Sequence, residues 1–365
     1  MQIKSLELSN FRNYDFLSVR FDEKTNIIYG SNAQGKTNIL ESIYLCASGK
    51  SLRGSREREM IKDGTSESHV KGEFSGVLGR ERVDIHLRKN QPKGIALNQI
   101  PIKKISDLYG KIKVVIFSEE DLEIIKQGPA ARRRFMDMEI CQLDRLYVED
   151  LINYTKAKDQ RNELLKEIER SDPEKKKLLL ETLDIWDLQL AEYGKKVIKR
   201  RREFTEEINS EINKIHSQIT EGKEDLKIIY KPSSDEESLY EDTRKNREKD
   251  LFAKTTNSGP HRDDLEFYSN SKDMKVFGSN GQQKTCALSL KLSEISIIEK
   301  TKKEKPILLL DDVLSELDRN RQRQLLRSLK DIQTIITCTG IDEFIEQELG
   351  ETKKFLVRDG KIEEE

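Results

Sequence analysis

A short glycine-rich stretch has the residue types and spacing of a phosphate-binding loop. Residues 30–37 read Gly-Ser-Asn-Ala-Gln-Gly-Lys-Thr and match GxxxxGK[ST] at every defined position. Backbone N–H groups of such a loop point at phosphate oxygens, and the following helix adds its positive N-terminal end. Lys36 would reach the β- and γ-phosphates of ATP, and the Thr37 hydroxyl would bind Mg²⁺. The predicted nucleotide contacts are Gly30, Asn32, Ala33, Gln34, Gly35, Lys36, Thr37 and Asn38.

The residues on either side of this loop predict the two elements that must position it. Asn26-Ile27-Ile28-Tyr29 is rich in β-branched side chains and runs directly into Gly30, which indicates a strand. Asn38 to Ile43 is compatible with a helix. A strand before the loop and a helix after it form the context that the motif requires. An accidental Gly-Lys-Thr turn, which is the alternative, would need neither element.

A second acidic motif ends an apolar run near the end of the chain. Leu308-Leu309-Leu310 predicts a buried strand that ends in Asp311 and Asp312. A carboxylate at the end of such a strand can hold Mg²⁺ beside the threonine of a phosphate-binding loop, which is the role we expect for Asp311. Asp312 would orient or deprotonate the attacking water. A capped strand end followed by a solvated turn is the alternative. The predicted catalytic residues are Lys36, Asp311 and Asp312, and the predicted metal ligands are Thr37 and Asp311.

A third motif, Ser279-Asn280-Gly281-Gln282, opens an amphipathic helix shortly before the Asp311 strand. A turn of this kind presents a hydroxyl and unpaired backbone N–H groups, and such groups bind anions. Ser279, Gly281 and Gln282 are therefore predicted nucleotide contacts. An ordinary Gly-Ser turn is the alternative, because a single turn sequence is a weak signal.

The pattern of the remaining chain predicts an α/β domain interrupted by a helical insertion. Residues up to about 121 show strand-like alternation, most clearly at Val83 to Arg88. From Leu122 the apolar period becomes helical and the intervening residues are charged, which is typical of a separate helical lobe. The β/α pattern then returns. We therefore predict a head formed by residues 1–121 and 248–365 and an insertion formed by residues 122–247.

Composition excludes several classes of protein. The chain has 365 residues, a formal net charge of −1 and 36% charged residues, so any nucleic-acid surface must be a local cluster. The four cysteines are far apart and show no CxxC spacing, which favours reduced, buried thiols over a disulfide framework or zinc site. Apolar runs are too short to span a bilayer. These features predict a soluble cytoplasmic protein without a membrane partner.

Local basic clusters could contact a nucleic-acid backbone. Lysine and arginine bind phosphates without sequence preference and release counterions. Aromatic residues make up only 6% of the chain, which favours duplex over single-strand stacking. For the cluster on the long predicted helix, a solvated face neutralised by neighbouring glutamates is an equal alternative. The predicted DNA contacts are Arg53, Arg132, Arg133, Arg134, Lys195, Lys199 and Arg200.

The order of these motifs resembles that of ABC-type ATPases. Ser279–Gln282 resembles their signature motif, and Ser315-Glu316-Leu317-Asp318 resembles their D-loop. In that superfamily the signature of one subunit caps the γ-phosphate bound by the P-loop of another. The resemblance therefore implies an ATP-dependent, head-to-tail homodimer that encloses two nucleotides.

Longer stretches resemble one SMC-like group, the RecF family of bacterial recombination mediators. Leu8-Ser9-Asn10-Phe11-Arg12-Asn13-Tyr14 and residues 30–38 look like the opening of an SMC-like head. The similarity runs in order from residue 3 to about residue 340 and so covers nearly the whole chain. SMC proteins carry a very long coiled coil, whereas the insertion here is short. Similar segments are 50–53, 58–61, 117–122, 132–137, 186–191, 258–264, 277–285 and 310–318.

The RecF resemblance implies a fold and a function. The implied fold is an ABC-type, SMC-like P-loop ATPase head with an inserted helical lobe and no long coiled coil. The implied protein binds ATP, Mg²⁺ and DNA, dimerises, and hydrolyses ATP slowly. It would act at gaps and ssDNA–dsDNA junctions in DNA repair, replication-fork maintenance and the SOS response. Its implied partners are RecO and RecR, and indirectly RecA.

The chain also departs from the family pattern. Glu119 stands where relatives often have proline, and residues 113–121 contain no Q-loop glutamine. Asp312 replaces the usual catalytic glutamate, and Thr337-Cys338-Thr339 replaces the switch histidine. Because an aspartate is one methylene shorter than a glutamate, we expect slow hydrolysis that suits a DNA-dependent switch rather than a motor.

Two other functions share some of these motifs. A transporter-type ABC ATPase has the P-loop and the signature, but the helical lobe, the missing histidine and the Asn10–Tyr14 segment argue against it. A P-loop phosphotransferase would need an acceptor site and no signature turn. Transfer of phosphate to an acceptor, rather than release of free phosphate, would distinguish the latter.

Overall fold

The computed structural model describes residues 1–329, 331–340 and 347–365. Its contacts divide the chain into two compact units. The first unit contains Met1–Glu123, Gln218–Gly222 and Asn280–Glu365. The second unit contains Ile124–Ser217 and Lys223–Ser279. Both ends of the chain therefore contribute to the first unit, which carries the P-loop and Asp311.

The strands of the first unit form an antiparallel sheet and a mostly parallel sheet. The strands are β1 (Gln2–Phe11), β2 (Tyr14–Arg20), β3 (Thr25–Tyr29), β4 (Glu67–Gly76), β5 (Gly79–Arg88), β6 (Gln91–Leu97), β7 (Ile100–Pro101), β8 (Val114–Ser118), β12 (Ile307–Asp311), β13 (Thr334–Cys338), β14 (Thr352–Arg358) and β15 (Lys361–Glu364). Among the described residues, the strand orders are β2-β1-β4-β5-β6-β7 in the antiparallel sheet and β15-β14-β3-β13-β12-β8 in the mostly parallel sheet.

The antiparallel sheet buries one face, as its alternating sequence predicts. Val83, Ile85 and Leu87 of β5 are fully buried, while the residues between them are partly exposed. In β1 the buried residues Ile3 and Leu6 are three positions apart, which strict alternation would not allow. A bulge between Ile3 and Ser5 in the pairing with β4 adds one residue, so that Ile3 and Leu6 both face the buried side of the sheet.

The parallel sheet brings its polar residues to one edge. The apolar positions of β3, β8, β12 and β13 are buried, because parallel strands are covered on both faces. Asp311 lies opposite Ser118 on one side and Thr337 on the other, and Cys338 lies opposite Tyr29. The carboxyl ends of these strands therefore align where α/β proteins bind ligands.

The helices of the first unit include α1 (Lys36–Ser48), α2 (Glu119–Leu122), α9 (Asn280–Lys302) and α10 (Arg319–Ser328). Helix α1 begins in the P-loop motif, and α9 begins in the Ser279–Gln282 motif. Ile39, Leu40 and Ile43 of α1 are fully buried. Glu119 is the first residue of α2. Proline suits this position because its fixed φ is helical, and glutamate suits it because its negative charge lies at the positive end of the helix.

The second unit is mainly helical, but it also contains a small sheet. Its helices are α3 (Pro129–Leu143), α4 (Arg145–Arg170), α5 (Pro173–Ile219), α6 (Leu239–Lys245), α7 (Arg247–Ala253) and α8 (Met274–Phe277). The sheet has the order β11-β10-β9 among the described residues. Its strands are β9 (Lys227–Lys231), β10 (Asp264–Ser269) and β11 (Lys272–Asp273).

This unit extends beyond the predicted boundary at residue 247. Asp250 binds the buried Arg161 of α4, with 2.7 Å between its Oδ2 and the arginine Nη1. Strand β10 pairs with β9, which precedes that boundary. Residues as far as Ser279 therefore pack with the helices. A pattern read along the chain misses this, because both contacts join segments that are distant in sequence.

The state of the cysteines and the apolar character of the helices were both predicted from composition. Cys46, Cys141, Cys286 and Cys338 are free and buried. Of the helices in the described ranges, none is both long enough and apolar enough to cross a membrane.

Candidate functional site

The P-loop connects β3 to α1 in a backbone path that needs glycine at two positions. Gly30 has φ +146° and Gly35 has φ +111°. A Cβ atom at Gly30 would lie 2.3 Å from the carbonyl oxygen of Val357, and one at Gly35 would lie 2.5 Å from the Asn13 amide. Because Gly35 caps the N-terminus of α1, the free N–H groups of that helix face the loop.

Lys36 is buried against the backbone of the same loop. Its Nζ donates hydrogen bonds to the carbonyl oxygens of Gly30, at 2.6 Å, and Ser31, at 2.9 Å. Both acceptors are neutral, and no ion pair of Lys36 is found in the described part of the chain. The ammonium charge is therefore available to a phosphate chain, whose charged oxygens are stronger acceptors.

Thr37 and Asp311 meet across the sheet edge although they are 274 residues apart in sequence. The Thr37 hydroxyl donates to Asp311 Oδ1 at 2.9 Å. Oxygen donors of this kind suit Mg²⁺. The described residues contain no group of three acidic, histidine or cysteine side chains placed to hold a metal ion. An Mg²⁺ ion bound to Thr37 and Asp311 would take its other ligands from phosphate and water, which is usual for this ion.

A second hydroxyl, which the sequence reading missed, completes this arrangement. Strand β13 lies between the P-loop strand and the Asp311 strand. Thr337 of β13 donates its hydroxyl to Asp311 Oδ1 at 2.8 Å and accepts from the backbone N–H of Asp312 at 3.1 Å. In sequence, the Thr337–Thr339 segment shows only that it replaces the switch histidine. An in-register threonine beside the acidic strand was the available signal.

Asp312 adopts a left-handed backbone conformation directly after β12, with φ +54°. Such conformations are uncommon outside glycine and occur often at functional sites. Ser315 donates its hydroxyl to the Asp312 carbonyl oxygen at 2.6 Å. Partial burial raises the pKa of the Asp312 carboxyl, and the charges of Asp311 and Glu316 add to that direction, while Ser315 and Lys36 oppose it. A raised pKa makes this carboxylate a better proton acceptor.

The Asn10–Tyr14 segment forms hydrogen bonds with the P-loop. Asn13 donates its side-chain amide to the Gln34 carbonyl oxygen at 2.8 Å, and Tyr14 donates its hydroxyl to the Gly35 carbonyl oxygen at 3.1 Å. Asn38 donates to the Asn13 side-chain oxygen at 2.8 Å. The N-terminal segment therefore supports the loop through contacts that its own sequence does not reveal.

A buried carboxylate on α1 anchors a further loop. Glu41 is fully buried and accepts two hydrogen bonds from Arg12, at 2.8 and 2.9 Å. It also accepts from the Ser51 hydroxyl at 2.6 Å. A glutamate among the apolar residues of the P-loop helix was the sequence signal for this contact. Arg53, a predicted DNA contact, is exposed in the loop that Ser51 anchors.

The C-terminal hairpin also touches the P-loop. The backbone N–H of Asp359, in the turn between β14 and β15, donates to Gln34 Oε1 at 2.6 Å. Gln34 is thereby held on one side by Asn13 and on the other by Asp359. The two ends of the chain therefore position the same loop residue.

The signature segment is tied to the D-loop within the first unit. The Gly281 carbonyl oxygen accepts from Arg321 Nη2 at 3.0 Å, and Thr285 accepts from Arg321 Nε at 2.6 Å. Arg321 also binds Asp318, which caps α10. Lys284 donates to the Glu316 carboxylate at 2.9 Å. Gln282 follows Gly281 in the first turn of α9, and Ser279 is the last residue of the second unit.

The structure gives Arg132 a different role from the predicted DNA contact. It is 2% exposed and donates two hydrogen bonds to the Asp264 carboxylate, at 2.6 and 2.9 Å. Its guanidinium is therefore part of the packing of the second unit. Arg133 is half-buried and donates to the Asp263 carbonyl oxygen at 2.7 Å, whereas Arg134 is exposed. Three consecutive arginines thus have three different environments.

Most of the predicted cations on α5 already have carboxylate partners. Lys195 pairs with Glu237 at 2.7 Å, and Arg200 pairs with Asp144 at 3.3 Å and Glu207 at 3.0 Å. Lys199 is exposed. The alternative of a neutralised helix face therefore describes Lys195 and Arg200 better than a bare phosphate-binding surface does.

Comparison with known proteins identifies the family. The RecF/RecN/SMC N-terminal domain family matches residues 2–353. The chain is 53% identical over 362 residues to the DNA replication and repair protein RecF of Lachnospira eligens, covering 99% of each protein. It is 43% identical over 369 residues to the protein of the same name from Clostridium botulinum, covering 99% of each. The chain belongs to the RecF family of DNA replication and repair proteins.

Solved structures agree with this assignment to the RecF family. A structure of the recombination mediator RecF with ATP, from the RecFOR pathway, matches with a TM-score of 0.91 and 36% identity, covering 100% of this chain and 97% of that one. An SMC head domain from Pyrococcus furiosus matches with a TM-score of 0.56 and 18% identity, covering 100% of this chain and 96% of that one. The prediction of an ABC-type, SMC-like head with an inserted helical lobe is confirmed.

Proposed function

We propose that this RecF-family protein is an ATP- and Mg²⁺-controlled DNA-binding switch of recombinational repair and replication-fork maintenance. The observation that carries the proposal is the Thr37–Asp311 hydrogen bond, which unites the P-loop and the acidic strand at the carboxyl edge of one sheet. The similarity to a RecF structure with ATP supports the same nucleotide. ATP and Mg²⁺ are therefore the proposed cofactors.

Hydrolysis would use four residues of this edge. Lys36 would neutralise the β- and γ-phosphates, Thr37 and Asp311 would hold Mg²⁺, and Asp312 would orient or deprotonate the attacking water. Asp312 is short for this role, so turnover would be slow, and DNA would stimulate it. Single-turnover hydrolysis tests the assignment. We expect Asp312→Asn to slow the reaction strongly and Asp312→Glu to match or exceed the wild-type rate, whereas an unchanged rate in Asp312→Asn would remove Asp312 from the mechanism.

Nucleotide would also control a head-to-tail homodimer. In the proposed dimer, Ser279, Gly281 and Gln282 of one subunit cap the γ-phosphate on the P-loop of the other. The contacts of Arg321 with Gly281 and Asp318 support this proposal, because they couple the signature turn to the D-loop. Binding of ATP would thus supply the charge that joins two subunits.

The closed dimer would hold duplex DNA at gaps and ssDNA–dsDNA junctions and help RecO and RecR to load RecA. Family membership supports a role in repair, and the similar RecF structure is that of a recombination mediator in the RecFOR pathway. A protein that acts on the bacterial chromosome would work in the cytoplasm. RecO, RecR and RecA are therefore the proposed protein partners.

Solution mass with ATP and Mg²⁺ tests the dimer. We expect the wild type to double its mass on ATP addition, and Lys36→Met and Ser279→Arg to remain monomeric. Lys24→Met is the matched control, because Lys24 precedes β3 whereas Lys36 follows it. Normal dimerisation of either site variant with ATP would refute the nucleotide sandwich.

DNA affinity in three nucleotide states tests the switch. We expect duplex DNA to bind more tightly with ATP than with ADP or without nucleotide. Fluorescence anisotropy across a salt series would measure this. Equal affinities in all three states would remove ATP control of DNA binding.

A further inference from the structure

A group of basic residues in the second unit surrounds the turn at residues 259–263. Arg133 of α3 donates from Nη1 to the Asp263 carbonyl oxygen at 2.7 Å. His261 of the turn contacts the Tyr154 hydroxyl of α4 through Nδ1 at 2.6 Å. Lys158 lies one helical turn after Tyr154, on the same face of α4. We propose that Arg133, Lys158 and Arg262, here named the turn patch, bind the phosphate backbone of duplex DNA. This inference rests on the proposed function.

Two carboxylates beside the turn, those of Asp263 and Asp264, have hydrogen-bond partners outside the turn patch. Asp263 is fully buried, and its Oδ2 accepts from Arg201 Nη1 at 2.9 Å and from the Tyr230 hydroxyl. Its Oδ1 accepts from the backbone N–H of Ser233 at 2.9 Å. Asp264 accepts two hydrogen bonds from Arg132. The hydrogen bonds of these acidic side chains therefore go to other groups than the turn patch, although their charges still act on Arg133.

Within the described ranges of the chain, the hydrogen bonds of the turn-patch arginines go to neutral oxygens. Arg133 donates to a backbone carbonyl, and Arg262 donates at 3.4 Å to the Thr256 carbonyl oxygen and the Asn257 side-chain oxygen. Arg262 is exposed. Lys158 pairs with a single exposed carboxylate, that of Asp159, at 3.2 Å. Phosphate oxygens would therefore be better acceptors than the present partners of the two arginines.

The cations of α5 differ in this respect. Arg202 is exposed on the same unit, but it pairs with Asp235 at 3.2 Å and Glu236 at 3.1 Å. Lys195 pairs with Glu237. A phosphate that approached them would have to displace charged partners. We therefore assign backbone contact to the turn patch rather than to Lys195, Arg200 and Arg202.

The charge of the turn patch does not depend on His261. Burial, the largest cause, and the charges of Lys158, Arg262 and Arg133 together lower the pKa of His261 to about 4. The hydrogen bond to the Thr256 carbonyl oxygen opposes this direction. The imidazole is thus neutral at physiological pH, and lysine and arginine supply the positive charge.

The arrangement suits a polyanion. The three cations come from α3, α4 and the turn, and all three lie near enough to His261 to lower its pKa, so they form one positive patch. A row of phosphates can contact them together, and each contact releases counterions. Contacts between these cations and phosphates would read no base edges, which predicts binding without sequence preference.

A matched pair of arginine variants tests the turn patch. Duplex DNA affinity with ATP and Mg²⁺ is measured by anisotropy over a salt series for wild type, Arg262→Ala and Arg202→Ala. We expect Arg262→Ala to bind more weakly and to reduce the slope of log K against log salt by about one, because one phosphate contact is lost. Arg202→Ala should keep the wild-type slope. Arg262→Ala with the wild-type slope, or an equal loss in Arg202→Ala, would overturn the assignment.

Lysine acetylation of the wild-type protein provides a second measurement that needs no variant. With DNA bound, Lys158 should lose reactivity, while Lys195 should keep it. Unchanged reactivity of Lys158 would also overturn the turn patch. Failure of the wild type to bind duplex DNA in any nucleotide state would overturn the proposed function as well, whereas normal binding with an unaffected Lys158 would overturn only the surface.

Discussion

Lys36 of the P-loop and Arg201 of α5 are both buried cations, but their partners differ. Lys36 donates to two backbone carbonyl oxygens. Arg201 pairs with Asp137 at 2.8 Å and Asp263 at 2.9 Å and donates to the Pro260 carbonyl oxygen. A cation held by neutral oxygens keeps its charge for a ligand, whereas a buried cation paired with carboxylates is required by the fold, because its removal would leave those carboxylates without their partner. The partner atoms therefore distinguish the two roles better than residue type does.

The largest predicted effect compares two adjacent arginines of α5. Arg201→Met should lower the free energy of unfolding of the second unit by about 3 to 5 kcal/mol, because Asp137 and Asp263 lose a buried partner. Arg202→Met should cost less than about 1 kcal/mol, because its ion pairs are exposed. Denaturation followed by fluorescence of Trp186, the single tryptophan of the chain, reports on this unit. Equal losses in the two variants would contradict the comparison.

A pH-dependent effect comes next in size. The Thr256 carbonyl can only accept, so neutral His261 donates to it from Nε2 and accepts from the Tyr154 hydroxyl at Nδ1. Its pKa is lowered from the ordinary 6.5 to about 4, chiefly by burial. The unfolded chain therefore binds the proton first, and stability present above pH 6.5 is lost as the pH falls towards 4. The full loss is about 3 kcal/mol.

The control for this prediction is His261→Gln. A glutamine can donate to Thr256 and accept from Tyr154 without titrating. The variant should lack that part of the acid loss when unfolding is followed by Trp186 fluorescence between pH 7 and pH 4. The same acid loss in both proteins would show that His261 does not titrate as described.

The smallest predicted effect lies at the nucleotide site. Thr337→Val removes a hydroxyl that orients Asp311 and should weaken Mg²⁺·ATP binding by about 1 to 2 kcal/mol, or roughly ten-fold. Thr334→Val is the control on the same strand, because its hydroxyl bonds to the Ile332 carbonyl oxygen away from Asp311. Titration with a fluorescent ATP analogue measures both. An equal change in ATP affinity in the two variants would contradict a role of Thr337 in orienting Asp311.

The sequence alone was sufficient for features that depend on neighbouring residues. A P-loop is built from consecutive backbone groups, so Gly30, Gly35, Lys36 and Thr37 could be predicted from their spacing. The strand before Asp311 could be predicted from its unbroken apolar run. The ordered motifs of the RecF family also lie within short segments, and for this reason the fold class could be predicted with them.

Only the tertiary structure decided which polar side chains are paired and buried. Arg161 and Arg201 look like their exposed neighbours in sequence, but their carboxylate partners are 26 and 62 residues away, at Asp187 and Asp263. The same holds for Thr337, whose hydroxyl meets Asp311 only because β13 and β12 are adjacent in the sheet. Burial and charge pairing depend on contacts between distant segments, so a local pattern cannot determine whether an arginine faces a phosphate or an aspartate.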